Sequence, residues 1–522
     1  MRVRVRSPDR SGPTSRSIET AILLLVAALG GLLATHPLLR VYLHDDDFLH
    51  LFQLTNFGPA EFITSPYAGH MYLVRNSVFF LTFRLFGMHA GAYLACAVVT
   101  HVVNVLLLFA LVRRLTGSAR IACVGALLFA VCPANDGALG WYSVYGHALA
   151  ATFVLVALLL LTPRRDESAP LSTRAAIGVA GCMLAASQSF GTGVAAAVLT
   201  PLVAAFLRPS TFRNRAAAAA LLAVPVLVGV AMAALYLPQT HLNSDPMTTI
   251  GLLARSAVDW RHVVSMVGHI LSLGIVSLAL GAAYPLDRYP DAISTGVTAA
   301  FGIGVLWAMR SGSPSTRRGL LAFLALAVGC YAMVAVGRAA FLAGIQSDAL
   351  VHAYVAATRY HYLAQTMLAV VLSLVIAEVA RRLSLGSRTT AALFAAWAAW
   401  QFAATVLLRP SAQRYDAVRD LVAHQRDAIV HAVMEQPPGA TVCLPNQPLP
   451  VSIGFPGSVG VFMLFNDRNE LDGRRVYFVS SDAALLATRL QGSRLRSLLL
   501  PPAACPSPPG DRLSLHVAER GW

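Results

Sequence analysis

The sequence predicts an all-α polytopic membrane protein of about 11 transmembrane helices, followed by a small α/β domain. Two observations lead to this prediction: a strongly apolar composition, and arginine concentrated in short gaps between apolar runs. Apolar residues make up 56% of the 522 residues and charged residues 12%, and the mean hydropathy is +0.62. Soluble proteins carry about 25% charged residues. This composition excludes a cytosolic enzyme, a secreted disulfide scaffold and a disordered protein, and the continuous apolar runs argue against an outer-membrane barrel.

The net charge of +15 comes from arginine placed on one predicted side of the membrane. Half of the 40 basic residues lie in six short gaps that contain only three acids, Asp9, Asp166 and Glu167. An excess of arginine in such gaps marks the cytoplasmic side. A nucleic-acid-binding patch would need a polar domain on that side, so no nucleic-acid partner is predicted. The six gaps are 1–17, 113–120, 162–174, 208–215, 310–318 and 381–388.

An even number of crossings must separate one cytoplasmic gap from the next, and this parity sets the predicted span count. The stretch 174–208 is too long for one span of about 20 residues and is expected to turn at 188–193. Residues 263–283 would be an odd crossing, so they are interpreted as an interfacial or re-entrant element, with a true span as the alternative. The other predicted spans are 18–39, 90–112, 121–133, 148–161, 216–237, 293–309, 319–337, 363–380 and 389–408.

The count predicts residues 1–17 as a cytoplasmic tail and 18–408 as the transmembrane domain, and we expect the membrane to be the bacterial inner (plasma) membrane. The predicted outer loops are 40–89, 134–147, 238–292 and 338–362.

Residues 409–522 are the one sizeable polar region, and they are predicted to form an extracytoplasmic α/β domain. Ser411–Gln436 has a helical apolar rhythm, and Thr441–Leu444 and Arg475–Val479 have the pattern of strands. An oxidising compartment would permit a disulfide between Cys443 and Cys505, and two free thiols fit equally well. The cysteine spacing suits no zinc site, so no metal ligands are predicted.

The first outer loop contains three consecutive carboxylates, Asp45, Asp46 and Asp47. Adjacent like charges raise at least one carboxyl pKa, which suits a general base near the membrane surface. A solvated acidic loop is the alternative. The second outer loop contributes Asp136 and His147 on the same side, and we expect the two loops to form one cleft. Alternatively, Asp136 only caps a helix or turn.

Arg75, Arg338 and Arg359 are among several arginines that lie against the charge bias, on the predicted outer side, and Arg359 is followed by Tyr360. Guanidinium groups pair with phosphate oxygens, so these residues are candidates to bind a lipid phosphate. Extension of the side chains toward lipid headgroups is the alternative.

Several segments together resemble the C-type (GT-C) glycosyltransferases, most closely the bacterial relatives of protein O-mannosyltransferases and aminoarabinose transferases. The resemblance is close over about 40–165 and looser beyond. The segments that carry it are His44-Asp45-Asp46-Asp47-Phe48, Val74-Arg75-Asn76, Leu81–Gly87, Thr100–Asn104, Arg114–Ser118, Pro133–Asp136 with Trp141, and Arg359-Tyr360.

The resemblance implies a GT-C-like fold and an inverting transferase that uses a polyprenyl-phosphate sugar at the outer face. The donor phosphate would lie against Arg75, Arg338 or Arg359, and one of the three aspartates would deprotonate an acceptor hydroxyl of a protein, lipid or glycan. No cofactor is certain, and a divalent metal is compatible with the acidic loops. The rival interpretations are a lipid-linked glycan transporter or flippase, a non-catalytic envelope-assembly protein, and an O-antigen ligase or polymerase.

Overall fold

The structure is a computed structural model. The residues it describes are 13–43, 46–56, 58–66, 70–87, 89–163, 169–236, 260–284, 288–342, 355, 357–384, 387–408, 420, 431, 433–445, 474–479 and 499–500. Asp45, Cys505 and most of the predicted helix Ser411–Gln436 lie outside these ranges, as do much of the predicted loops 238–292 and 338–362.

Helices form along the apolar runs and begin at polar caps in the gaps. Ser118, Ser172 and Asn214 each accept a hydrogen bond from a backbone N–H three residues later, and each begins a helix. Gly117, with φ of 69°, ends the helix that precedes Ser118. The caps therefore lie in the arginine-rich gaps that the sequence predicts as loops.

In chain order the α-helices are α1 (Pro13–Thr35), α2 (Asp46–Asn56), α3 (Pro59–Thr64), α4 (Leu73–Phe86), α5 (Ala90–Thr116), α6 (Ala119–Ala130), α7 (Asp136–Leu139), α8 (Gly146–Leu161), α9 (Thr173–Ser187), α10 (Gly191–Val198), α11 (Thr200–Leu207), α12 (Arg215–Ala231), α13 (Trp260–Leu280), α14 (Ala292–Ser311), α15 (Pro314–Leu342), α16 (Tyr362–Arg382) and α17 (Ser387–Leu408). Short 3-10 turns occupy His36–Arg40, Pro133–Asn135, Tyr142–Val144, Pro209–Arg213, Gly281–Ala283 and Thr358–Tyr360, and a π-helical turn occupies Met232–Tyr236.

The chain is a multi-pass membrane protein. In the described ranges, eight helices are long and apolar enough to cross a membrane, or nine if Ala119–Ala130 and Pro133–Leu139, bent by 53°, form one span. The eight are Ser17–Arg40, Ala90–Thr116, Tyr142–Leu161, Arg215–Ala234, Val263–Ala283, Ala292–Ser311, Pro314–Arg338 and Tyr362–Arg382. The predicted total of about 11 stays a prediction.

Contacts among the arginine-rich gaps show that they gather at one end of the bundle, which we call the basic end. Arg120 pairs with Glu19 at 2.7 Å, and Arg114 donates to the carbonyl of Thr162 at 3.2 Å. The gap 208–215 joins them through Arg208, which donates to the Ala169 carbonyl at 3.0 Å.

The gaps 310–318 and 381–388 join the same end through α16. Arg382 donates to the carbonyl of Ser311. Helices α6 and α16 run antiparallel, because Ser373 lies against Gly125 in mid-helix and Tyr362 lies near the end of α6. The start of α6 and the end of α16 therefore share the basic end.

The opposite end, which we call the acidic end, is formed by the predicted first and second outer loops. Here Asp47 contacts Ser143, and the Val74 backbone N–H donates to the Gln188 carbonyl at 3.1 Å. Helix α8 begins at this end and finishes beside Arg114 at the basic end. The bundle therefore separates the acidic loops from the arginine-rich gaps, as the parity argument requires.

Helix α13 meets the length and hydropathy of a span, yet its contacts lie at the acidic end. Its residue Gly274 packs against Tyr331 and His361, and the Ser277 carbonyl lies 3.5 Å from the thiol of Cys132. Helix α12 begins, and helix α14 ends, in an arginine-rich gap at the basic end. The end of α12 and the start of α14, which flank α13 in the chain, therefore lie at the acidic end. These contacts favour entry and exit on one side, and the prediction that 263–283 does not cross stays open.

A buried polar network ties the bundle together beneath the acidic end. The Tyr362 hydroxyl lies 2.8 Å from Nδ1 of His101 and accepts from Asn104 Nδ2 at 3.2 Å. Asn104 also donates to the Ala148 carbonyl at 2.9 Å. Because buried polar groups must be hydrogen-bonded, these contacts hold α5, α8 and α16 in register just beneath the acidic end.

Beyond the bundle, the described residues include three parallel strands: β1 (Thr441–Pro445), β2 (Arg475–Val479) and β3 (Leu499–Leu500). Thr441 pairs with Arg475 and Phe478 with Leu499, in the order β1-β2-β3. Both predicted strands are present at the predicted positions.

Candidate active site

Helix α2 carries the acidic motif and begins at the acidic end with Asp46 and Asp47. Asp47 is 1% exposed, and its Oδ1 accepts hydrogen bonds from the backbone N–H and the hydroxyl of Ser143, both at 2.6 Å. Ser143 belongs to the second outer loop. The two acidic loops therefore meet, as expected, and the Asp47 carboxylate is held in one orientation. Asp46 is only partly buried.

Arg75, on α4, is 0% exposed and is in contact with Asn76, His50 and Tyr72. Its Nη1 donates to Asn76 Oδ1 at 2.9 Å, and its Nη2 lies 2.7 Å from Nε2 of His50. The guanidinium carbon sits 3.9 Å from the centroid of the Tyr72 ring. Burial lowers the pKa of Arg75, whereas the neighbouring Tyr72 and Asp47 raise it. The cation is thus compensated from within the protein.

Histidine 50 lies on the same helix as the acids. Burial, and then the charge of Arg75, hold the pKa of His50 well below 6.5, so the imidazole is neutral. Its Nδ1 lies 3.0 Å from Oε1 of Gln53. His50 is not among the site residues predicted from the sequence, although His50 is four residues from Asp46 and therefore on the same helical face.

Arg338 and Arg359 come together over aromatic rings at the acidic end. The Tyr360 ring has both guanidinium groups above it, Arg338 at 5.1 Å and Arg359 at 4.7 Å. Arg359 also lies 5.3 Å from the Trp141 ring. Both arginines are partly exposed, unlike Arg75. Arg359 Nη2 also donates to the Tyr360 hydroxyl at 3.2 Å. Cation–π contacts of this kind help to hold a guanidinium group in place.

The second outer loop also brings Asp136 to this region. Asp136 is partly buried at the start of α7. A Cβ on the next residue, Gly137, would lie 2.6 Å from the backbone nitrogen of Arg359. The glycine therefore permits the close approach that sets α7 against the turn Thr358–Tyr360.

His147, at the start of α8, is fully buried beside this pair of arginines. Its Nδ1 lies 3.3 Å from Thr192 Oγ1, and its ring packs on Phe190 at 3.6 Å between centroids. Its Nε2 has no hydrogen-bond partner among the described residues. Arg338 and Arg359 are near enough for their charges to act on His147.

Tyr72 connects the acids to the arginines. Burial raises the pKa of Tyr72 to about 12, Arg75 lowers it, and Asp46 raises it further; the charge of Arg338 acts on the same hydroxyl. The charges of Asp46, Arg75 and Arg338 therefore all act on one side chain, and of the three Arg75 is in contact with its ring. Of the residues proposed from sequence, all but Asp45, which lies outside the described residues, are at the acidic end.

The described part of the chain contains no cluster of side chains suited to bind a metal ion. Its His, Cys, Asp and Glu side chains form no group of three or more that could hold an ion. Asp45 lies outside the described residues.

No protein-family model and no curated protein sequence matches the chain. Among solved structures, the chain is similar to ArnT from Cupriavidus metallidurans bound to undecaprenyl phosphate, at 12% identity over 91% of this chain and 88% of that chain, with a TM-score of 0.49. The same protein in the apo state gives a TM-score of 0.47 at 12% identity, over 94% of this chain and 90% of that chain.

A third similar structure is the Archaeoglobus fulgidus oligosaccharyltransferase tethered to an acceptor peptide. It is 14% identical over 88% of this chain and 64% of that chain, with a TM-score of 0.45. The solved structures to which this chain is similar thus include an aminoarabinose transferase and an oligosaccharyltransferase, both C-type glycosyltransferases, the family that its sequence resembles.

Proposed function

We propose that the chain is an integral-membrane glycosyltransferase that moves a sugar from a polyprenyl-phosphate donor to an envelope acceptor at the outer face of the inner membrane. The observation that carries this proposal is that one short segment, 141–143, contacts both the acidic helix start and Arg359. Asp47 accepts from Ser143, and Arg359 lies over the Trp141 ring, at the end of the bundle opposite the arginine-rich gaps. Carboxylates and paired guanidinium groups at one end of the bundle suit a reaction that needs one base and a stabilised phosphate leaving group.

The geometry supports different tasks for the two described aspartates. Asp46 is partly exposed and is the better candidate for the base. Asp47 is buried and held by Ser143, which supports a role in fixing the start of α2. In the proposed step, Asp46 takes the proton of the acceptor hydroxyl, and the acceptor oxygen bonds to the anomeric carbon. The bond from that carbon to the phosphate oxygen breaks, and polyprenyl phosphate leaves with the electron pair.

Arg338 and Arg359 are the candidates to hold the leaving phosphate. Both are partly exposed and share the Tyr360 ring. Charge that develops on the phosphate oxygens would be stabilised by guanidinium groups that are already in place. Asp136, on the loop that abuts Arg359, would line the same substrate site.

Transfer of a radiolabelled sugar from a polyprenyl-phosphate donor, measured with the purified protein in vesicles, tests this proposal. We expect Asp46→Asn to lower transfer by about 10²-fold or more, since general bases contribute that much, and Asp47→Asn to lower it as well. The matched control is Glu61→Gln, because Glu61 is an exposed acid on α3 in the same outer loop. It should leave transfer unchanged.

Normal product formation in Asp46→Asn, Asp47→Asn and the double variant would overturn the proposal. Movement of the intact labelled lipid across the vesicle membrane, without a transferred product, would instead identify the transporter that the sequence leaves as a rival.

A further inference from the structure

Arg75 differs from the other two arginines at the acidic end because it is fully buried and both of its Nη atoms have protein partners, whereas its Nε has no partner among the described residues. Nη1 donates to Asn76, Nη2 meets His50, and Tyr72 covers one face of the guanidinium. The side chain is 0% exposed. A lipid phosphate could reach it only after these contacts are broken.

The hydrogen bonds also determine the protonation of His50. Gln53 Oε1 can only accept, so Nδ1 of His50 carries the hydrogen and donates to it. Nε2 then carries the lone pair and accepts from Arg75 Nη2 at 2.7 Å. The pair is a neutral imidazole and a charged guanidinium, and the bond is a charge-assisted one.

This bond ties the acidic helix to its neighbours. His50 is on α2, one turn after Asp46 and Asp47, and Arg75 is on α4. Asn76, which accepts from Arg75, donates in turn to the carbonyls of Phe62 and Ser65 at 2.8 and 3.1 Å, at and just after the end of α3. Three separate helices of the first outer loop therefore meet at one guanidinium.

We propose that Arg75 is a positioning residue that acts through His50 to hold α2, and with it Asp46, in place, and that it is not a ligand of the donor phosphate. This inference rests on the proposed function and changes the role that the sequence resemblance implies for Arg75. Asp47 is anchored to Ser143 at the start of α2, and His50 is anchored to Arg75 one turn later. Helix α2 is thus held at Asp47 and again at His50, and these two anchors fix the start of the helix, where Asp46 lies.

The test separates positioning from phosphate binding by measuring kcat, the KM for the donor, and the Kd for undecaprenyl phosphate. We expect Arg75→Gln to lower kcat by about 10²-fold, the loss typical of a small displacement of a catalytic group. Its Kd for undecaprenyl phosphate should stay close to that of the parent chain. Arg338→Gln and Arg359→Gln should instead raise both KM and Kd. Arg84→Gln, an exposed arginine on the same helix α4, is the matched control and should change none of these.

Two substitutions of His50 test the route through the imidazole. In His50→Gln the amide oxygen can take the place of Nε2 and accept from Arg75, so most of kcat should return. In His50→Leu no acceptor remains, and kcat should fall as far as in Arg75→Gln. The thermal midpoint Tm of each purified variant and its Kd for undecaprenyl phosphate show that it is folded. Where Arg75→Gln fails to fold, the comparison of His50→Gln with His50→Leu decides the matter.

A Kd that rises about tenfold in Arg75→Gln with kcat preserved would overturn the inference, and so would equal activity of His50→Gln and His50→Leu. These results leave the proposed function standing, provided that Asp46→Asn is inactive. Normal transfer by Asp46→Asn, Asp47→Asn and the double variant, in contrast, contradicts the proposed function itself.

Discussion

Residues of the same chemical type differ in burial at the acidic end, and this difference underlies the different roles proposed for them. Asp46 and Asp47 are neighbours in the chain, yet only Asp47 is fastened to Ser143. Arg75 and Arg359 are both guanidinium groups, but Arg75 is enclosed, whereas Arg359 is partly exposed. The sequence identifies these side chains as candidates, and their solvent exposure indicates which of them a substrate can reach.

Buried histidines make the stability of this end dependent on pH. Burial lowers the pKa of His361 from 6.5 to about 4, partly offset by its hydrogen bond to the Val355 carbonyl. His50 is shifted in the same direction. Between pH 6.5 and about 4 the unfolded chain binds more protons than the folded one, so stability decreases as the pH falls through this window.

We therefore expect the Tm of the purified protein to be level above pH 6.5 and to fall between pH 6.5 and 4.5. In His361→Gln, which lacks the titrating group, the fall should be shallower. Thermal unfolding in detergent at a series of pH values measures both curves. A slope in His361→Gln as steep as in the parent chain would contradict the assignment to His361.

At the scale of helices and turns, glycines bring the loops of the acidic end together. Gly137 lets α7 lie on the turn that carries Arg359, and Gly146 lets the start of α8 lie on the Ser189 carbonyl. The sequence predicts the spans on either side but not these contacts, because they join segments that are far apart in the chain. The helices α2 and α3 inside the first outer loop were not predicted either.

We expect Gly137→Ala to raise the KM for the donor and to lower the Tm. The new Cβ would lie 2.6 Å from the Arg359 nitrogen and closer still to Thr358 Oγ1, so the turn must move and carry Arg359 with it. Gly181→Ala is the matched control. A Cβ there meets nothing within 4 Å, and alanine in a helix should stabilise α9 by up to about 1 kcal/mol. A KM in Gly137→Ala equal to that of the control would refute the steric argument.

At the scale of the whole molecule, the basic end and the acidic end lie at opposite ends of the helical bundle. The proposed reaction requires this separation, because its site must face the side of the membrane opposite the arginine-rich gaps. Hydrogen bonds join the arginine-rich gaps at one end, and the acidic loops meet at the other. This arrangement agrees with the parity of crossings predicted from arginine alone. Helix α13 is long enough to cross the membrane, whereas its contacts favour entry and exit on the same side.

Labelling of single cysteines in intact and permeabilised cells tests this topology, in a chain whose native cysteines are replaced. Glu61→Cys should react from outside and Arg310→Cys only after permeabilisation. Arg261→Cys lies at the start of α13 and Arg288→Cys beyond its end, and both should react from outside if the segment enters and leaves on one face. Reaction of only one of the two from outside would make α13 a true span. Inaccessibility of Glu61→Cys from outside would contradict the proposed orientation.

Composition and local pattern alone determined that the chain is a helical membrane protein, where most of its spans lie, and which loops hold acids and arginines. These properties are local, because lipid demands long apolar helices and charge bias acts on short loops. Tertiary structure decided that Asp47 meets Ser143 across 96 positions of the chain, that Tyr362 meets His101 across 261, and that Arg75 is sealed against His50. Such contacts depend on how the helices pack in three dimensions, and burial then decides which of several chemically equivalent side chains a substrate can touch.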